Sequence, residues 1–198
     1  EPLKDLTQLG QWPKLKDIVL HGHELSETSP CPCWLHLERL ALTDCQLNSI
    51  PEELPIGSLQ SIDLSGNELT GIDELADALQ LHELGLAHNP LKQLPASTNW
   101  QAMRVLNLTG TPSALPLDRL LGVSSLRVLY AKQRCLPEQT PALPQIEQLF
   151  ASLEGERPLL DYESWTGLRI LHLHVKNRID LSNLVLPPSL EELTLTHG

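Results

Sequence analysis

The chain has 198 residues, with 25 acidic and 14 Lys or Arg side chains, a formal net charge of −11 and a pI near 5.1. Nucleic acid and anionic membranes are disfavoured as partners, because both call for a basic stripe that displaces counterions. No stretch approaches the run of about 18 apolar residues that a membrane span needs, so insertion into a bilayer is not expected.

Read from its start, the chain enters in the middle of a repeating unit: Glu1 to Trp12 aligns with Asn89 to Trp100. Complete units begin at Leu15, Leu37, Leu59, Leu81, Met103, Leu126, Ile146, Leu168 and Leu190, at spacings of 22, 22, 22, 22, 23, 20, 22 and 22. Counted from each start, position 4 is always Leu or Ile, and position 6 is Leu except at Ala131 and Ala151. Alternate residues of a strand face opposite ways, so positions 4 and 6 form the core while 3, 5 and 7 point outward. One parallel strand per unit is predicted, beginning near Asp17, Arg39, Ser61, Glu83, Val105, Val128, Gln148, Ile170 and Glu192. A single unit cannot bury its own leucines, so the units stack into a curved solenoid with loops, 3₁₀ turns and at most short helices on the convex side.

The segment Leu81-His82-Glu83-Leu84-Gly85-Leu86-Ala87-His88-Asn89-Pro90-Leu91, and its cysteine variant Leu37 to Leu47, carry the pattern LxxLxLxx[NC]xL. On these motifs the chain resembles the leucine-rich repeat family over essentially its whole length. The resemblance implies an α/β, right-handed horseshoe with a parallel sheet on its concave face. It also implies one domain, residues 1–198, of about nine repeats. Both ends fall at position 9 without recognisable caps, so the chain reads as the interior of a longer array whose ends would associate with a neighbour.

In that family the position-9 Asn or Cys satisfies backbone groups of the turn after each strand. Arg134, Glu154 and Lys176 stand there in the C-terminal half and are costly to bury, so irregular turns are expected after the strands at 129, 149 and 171. Cys135 to Pro144 is proline-rich and is expected to be extended. Trp12, Trp34, Trp100 and Trp165 each lie three residues before a unit start, and are read as core plugs under the convex layer. Gly66, Gly85 and Gly110 either admit a partner backbone or ease the turns.

Enzyme signatures are absent: there is no GxGxxG, P-loop, GxSxG or HExxH, and no catalytic residue or cofactor is assigned. His172 and His174 project from one sheet face, but His197 falls at position 8, beyond the expected strand, so no third ligand is fixed and no metal is expected. Cys45 reads as a reduced structural residue, and Cys31 and Cys33 as free thiols without the CxxC spacing of a zinc site. Cys135 has no identifiable partner, and the sequon Asn107-Leu108-Thr109, on the concave face, is read as a chance match. Cysteine usage favours a cytoplasmic setting, with a secreted effector as the alternative; the missing signal peptide decides nothing.

Function is therefore sought on the concave face. Position 5 runs Val19, Ala41, Asp63, Gly85, Asn107, Tyr130, Phe150, His172, Thr194, so bulky rings begin at the sixth strand. Val128, Lys132, Ile170 and His174 surround them, and Arg104, Arg127 and Arg169 occupy position 2. Aromatic anchors among aliphatic and cationic side chains have the composition of a protein-binding hot spot. The opposing reading is that the loop at 134–144 covers the rings. The N-terminal strands carry mixed charge, including Lys16, Asp17, Glu38 and Arg39, and read as solvated. The expected role is a protein-binding module within a larger receptor, effector or adaptor. The alternative is the substrate-recognition arm of a multidomain enzyme, because Leu186-Pro187-Pro188-Ser189-Leu190-Glu191-Glu192-Leu193 resembles a phrase of bacterial ubiquitin-ligase effector repeats, a pointer to a bacterial source.

Overall fold

The computed structural model describes residues 6–25, 34–51, 54–96, 98–112, 115, 117–132, 143–153, 162–176, 182 and 184–198. Nine strands start where the leucine spacing places them: β1 (Asp17–His21), β2 (Arg39–Thr43), β3 (Ser61–Asp63), β4 (Glu83–Gly85), β5 (Val105–Asn107), β6 (Val128–Lys132), β7 (Gln148–Leu153), β8 (Ile170–Val175) and β9 (Glu192–His197). They form one sheet in sequence order, and every neighbouring pair is parallel with like positions opposed, as Leu40 opposite Ile62 and Tyr130 opposite Phe150. Among the described residues the convex side holds three 3₁₀ helices, Leu6–Leu9, Asp73–Leu75 and Asp118–Gly122, and no α-helix.

The core is a continuous ribbon beneath the sheet. Positions 1, 4 and 6 from Leu37 to Leu173 are buried in every repeat, and burial of that aliphatic surface is the main stabilising term. Trp34, Trp100 and Trp165 plug the space beneath, as do Ala78, Val123 and Leu143 at the equivalent places. Trp100 Nε1 donates to the Leu75 carbonyl of the preceding repeat at 2.7 Å, which ties this plug to the unit before it, while the buried Trp34 Nε1 has no hydrogen-bond partner among the described residues. Trp12 departs from expectation and is 50% exposed.

Position 9 behaves as the repeat pattern implies wherever Asn stands there. Asn67 Nδ2 donates to the carbonyls of Leu42 and Leu64, each at 2.7 Å, and its Oδ1 accepts from the backbone N–H of Cys45 and Leu47 at 3.0 and 3.1 Å. Asn89 repeats the arrangement one unit later, from Leu64 and Leu86 to the Leu69 N–H. Cys45 Sγ substitutes with contacts to the carbonyls of Leu20 and Thr43 at 3.7 and 3.3 Å, and Thr111 Oγ1 with one bond to the Leu108 carbonyl. Burial pushes the Cys45 thiol up, which keeps it protonated and unreactive.

One step earlier, position 8 decides how each strand ends. Gly22, Asp44, Gly66, His88 and Gly110 all have φ between 53° and 74°, the left-handed region that glycine, Asp and His tolerate better than branched residues. The chain turns there and β1 to β5 all end before it, β1 and β2 after five residues and β3, β4 and β5 after three. Gly66 and Gly110 also make room for a neighbour: a Cβ there would strike the side chains of Asp44 and His88 respectively. A Cβ at Gly85 would strike Asp63, so neither reading of Gly85 holds; its space is filled by its own neighbour.

In the seventh and eighth repeats position 8 is apolar. Leu153 and Val175 stay in the strand, point inward like positions 4 and 6, and are buried, so β7 and β8 extend to six residues. Lys176, next in line, turns outward and is exposed. His197, expected beyond its strand, instead pairs with Val175 inside β9, because the extended neighbour offers it a ladder partner. Arg134, Glu154, the thiols at Cys31, Cys33 and Cys135, and most of the proline-rich segment lie outside the described residues.

Candidate functional site

The parallel register brings position-5 residues of β6, β7 and β8 side by side, one inter-strand step apart. The rings of Tyr130 and Phe150 stack with centroids 4.3 Å apart and planes inclined by 13°; Phe150 and His172 stack at 4.6 Å and 17°. All three are partly exposed on the concave face, flanked by partly exposed Val128 and Ile170 on the position-3 row. Stacked rings hold one another upright, so this stripe is already ordered before anything lands on it. Its neighbours at the same position in the N-terminal half are Ala41, Asp63, Gly85 and Asn107; there Asn107 Oδ1 accepts from the Thr109 N–H at 3.0 Å.

Around the stripe several charged side chains pair with residues of the next repeat. His172 Nε2 lies 3.4 Å from Glu192 Oε1, and His174 Nδ1 lies 3.0 Å from Thr196 Oγ1. Two of the three candidate arginines are engaged within the chain: Arg169 makes two 2.9 Å bonds to Glu191, and Arg127 sits 3.1 Å from Glu147. Arg104 is exposed on the adjoining repeat, and Lys132 is the last residue of β6. The Arg169 guanidinium holds the Glu191 carboxyl below the usual carboxylate range, and Lys16 does the same for Glu38, 2.6 Å away. These same-position pairs, one repeat apart, were legible in the sequence once its register was known; the sequence reading took the arginines as ligands for a partner instead.

Beside the stripe lies a groove of about 470 Å³, toward the C-terminal ends of the strands. One wall is formed by the turns of the fourth and fifth repeats, at His88, Thr109 and Gly110, and the other by β7, β8 and β9. Ala131 and Ala151 line it where other repeats carry position-6 leucine. Nothing in the linear pattern announces this groove, because it arises between repeats that turn early and repeats that run on. Among the described residues, no three His, Cys, Asp or Glu side chains converge to hold a metal ion, and no helix is long and apolar enough to cross a membrane.

A parallel strand per repeat, an asparagine-filled turn and an exposed sheet face define a leucine-rich repeat solenoid. A leucine rich repeat sequence profile matches residues 36–91. Podocan-like protein 1 of Mus musculus is 30% identical over 206 residues, covering 96% of this chain and 36% of the mouse protein. The chain thus spans about a third of that relative's length. Among solved structures, the mouse RP105/MD-1 complex superposes with a TM-score of 0.63 at 22% identity, over 91% of this chain and 33% of that one. A leucine-rich repeat protein of Leptospira interrogans gives a TM-score of 0.59 at 19% identity, covering 97% of this chain and 59% of its own. Similarity extends to mammalian and bacterial proteins alike, so the phrase at Leu186 to Leu193 does not fix a source. Leucine-rich repeats generally mediate protein–protein interaction and are typically non-catalytic.

Proposed function

We propose that this chain binds a protein partner on its concave face, through Tyr130, Phe150 and His172 as anchors and Val128, Lys132, Ile170, His174 and Arg104 around them. It would serve as the recognition segment of a larger receptor, effector or adaptor. The observation that carries this reading is the unbroken, partly exposed ring stack across β6, β7 and β8, on a sheet whose other position-5 residues carry no ring. Large rigid rings at low entropic cost are what interface hot spots use. Arg127 and Arg169 contribute less, because a partner would first have to displace Glu147 and Glu191.

Tyr130→Ala and Phe150→Ala, assayed by partner capture and thermal melting, test the proposal. Each substitution should weaken capture by about 2 kcal/mol or more. Melting should shift little, since the stacking lost is about 1 kcal/mol. Glu38→Ala should change neither. Aromatic variants that melt early yet still bind would show the rings to be core and the site to lie elsewhere.

A further inference from the structure

The groove beside the ring stripe lacks the acidic side chains that dominate the chain. Of its thirteen lining residues one is Lys, three are His and none is Asp or Glu, although acidic residues outnumber Lys and Arg by 25 to 14 in the whole sequence. His88 sits on the early-turning wall at φ 56°, and His172, His174 and Lys176 on the long-strand wall, with Thr109, Thr194 and Thr196 as further hydrogen-bonding side chains. Thr196 Oγ1 lies 3.0 Å from Nδ1 of His174, which fixes the ring. Glu192, the carboxylate nearest His172, does not line the groove.

We infer that this groove takes an extended acidic segment of the partner, its carboxylates received by His88, His174 and Lys176 while an apolar side chain packs on Phe150. This rests on the proposed concave binding face and names the chemistry read there. Two features favour a peptide over a small anion. First, five inter-repeat steps of about 4.8 Å separate the repeat of His88 from that of Thr196, so the groove is about 24 Å long and is spanned by about seven extended residues. Second, the alanines at 131 and 151, Leu173 and the Phe150 ring supply apolar lining between the polar ends, which suits alternating apolar and acidic side chains.

The experiment measures fluorescence anisotropy of two labelled probes against the intact chain: a peptide of about seven residues with glutamates flanking a central phenylalanine, and its glutamine analogue. The glutamate peptide should bind about tenfold more tightly than the analogue, the scale of one charge-assisted hydrogen bond, and lose that margin in high salt. His88→Asn, which keeps a residue that tolerates positive φ, and His174→Gln should each remove most of the margin between the two peptides. Phe150→Ala should weaken both peptides alike. Loss of the glutamate preference only in the histidine variants supports the acidic groove. Equal binding of both peptides, sensitive to Phe150→Ala alone, overturns the groove and leaves the ring stripe standing. Glutamate-selective binding that ignores Phe150→Ala but falls with His88→Asn keeps the groove and counts against the stripe. Absence of binding by either peptide overturns the inference.

Discussion

The two halves of the concave sheet are built on one repeat and share one core, yet they end their strands differently and present different surfaces. From β1 to β5, position 8 is Gly, Asp or His with positive φ, position 9 is buried where it is Asn, Cys or Thr, and position 5 is mostly small. In β7 and β8, position 8 is a buried Leu or Val, the strand runs on, and position 5 is Phe or His. The difference teaches that the leucine ladder fixes only where strands begin. Two further columns, positions 8 and 9, set where they stop, and position 5 sets what the surface can hold.

If that division is right, the largest effects belong to the shared core. Trp100→Ala should cost about 3–5 kcal/mol, because it empties a plug and removes one of the two donors to the Leu75 carbonyl. Trp12→Ala, at an exposed copy of the same position, should stay within about 0.5 kcal/mol. Equal losses in urea unfolding would mean that Trp12 is covered in solution. Next comes position 9. Asn89→Ala strands backbone groups around the turn and should cost about 2–3 kcal/mol. At the matching place in the C-terminal half, Lys176→Ala should cost about 0.5 kcal/mol or less. A large loss at Lys176 would show that position 9 is structural in both halves.

The smallest effect concerns the paired row at position 2. The Glu191 carboxyl is held below its ordinary range by Arg169, so its contribution is present above the unfolded pKa and is lost as pH falls through the folded one. Glu191→Gln should therefore melt slightly below the parent at neutral pH and converge with it in acid. Since the pair is exposed, the gap is small and shrinks in salt. A gap that widens on acidification would contradict the assignment.

How much of this was legible beforehand follows the same division. All nine strand starts, the parallel order and three of four tryptophan plugs were readable, because each is dictated by aliphatic spacing. The ring stack was readable as adjacency, since Tyr130, Phe150 and His172 share a position; that the rings stack rather than splay required coordinates. The column Gly22, Asp44, Gly66, His88, Gly110 against Leu153 and Val175 was also in plain sight, but its meaning lies in backbone dihedrals that leucine spacing does not encode. The groove was not legible, because it depends on how two kinds of strand ending face each other across the sheet.

Hydroxyl-radical footprinting of the chain with and without its bound protein partner tests the central claim most directly, since it reads side chains in both halves in one sample. Binding should protect Tyr130, Phe150, His172 and His174 while leaving the exposed Trp12 and His21 of the N-terminal end as reactive as before. Protection centred on His21 and β1, with the rings unchanged, would contradict the division of the concave face.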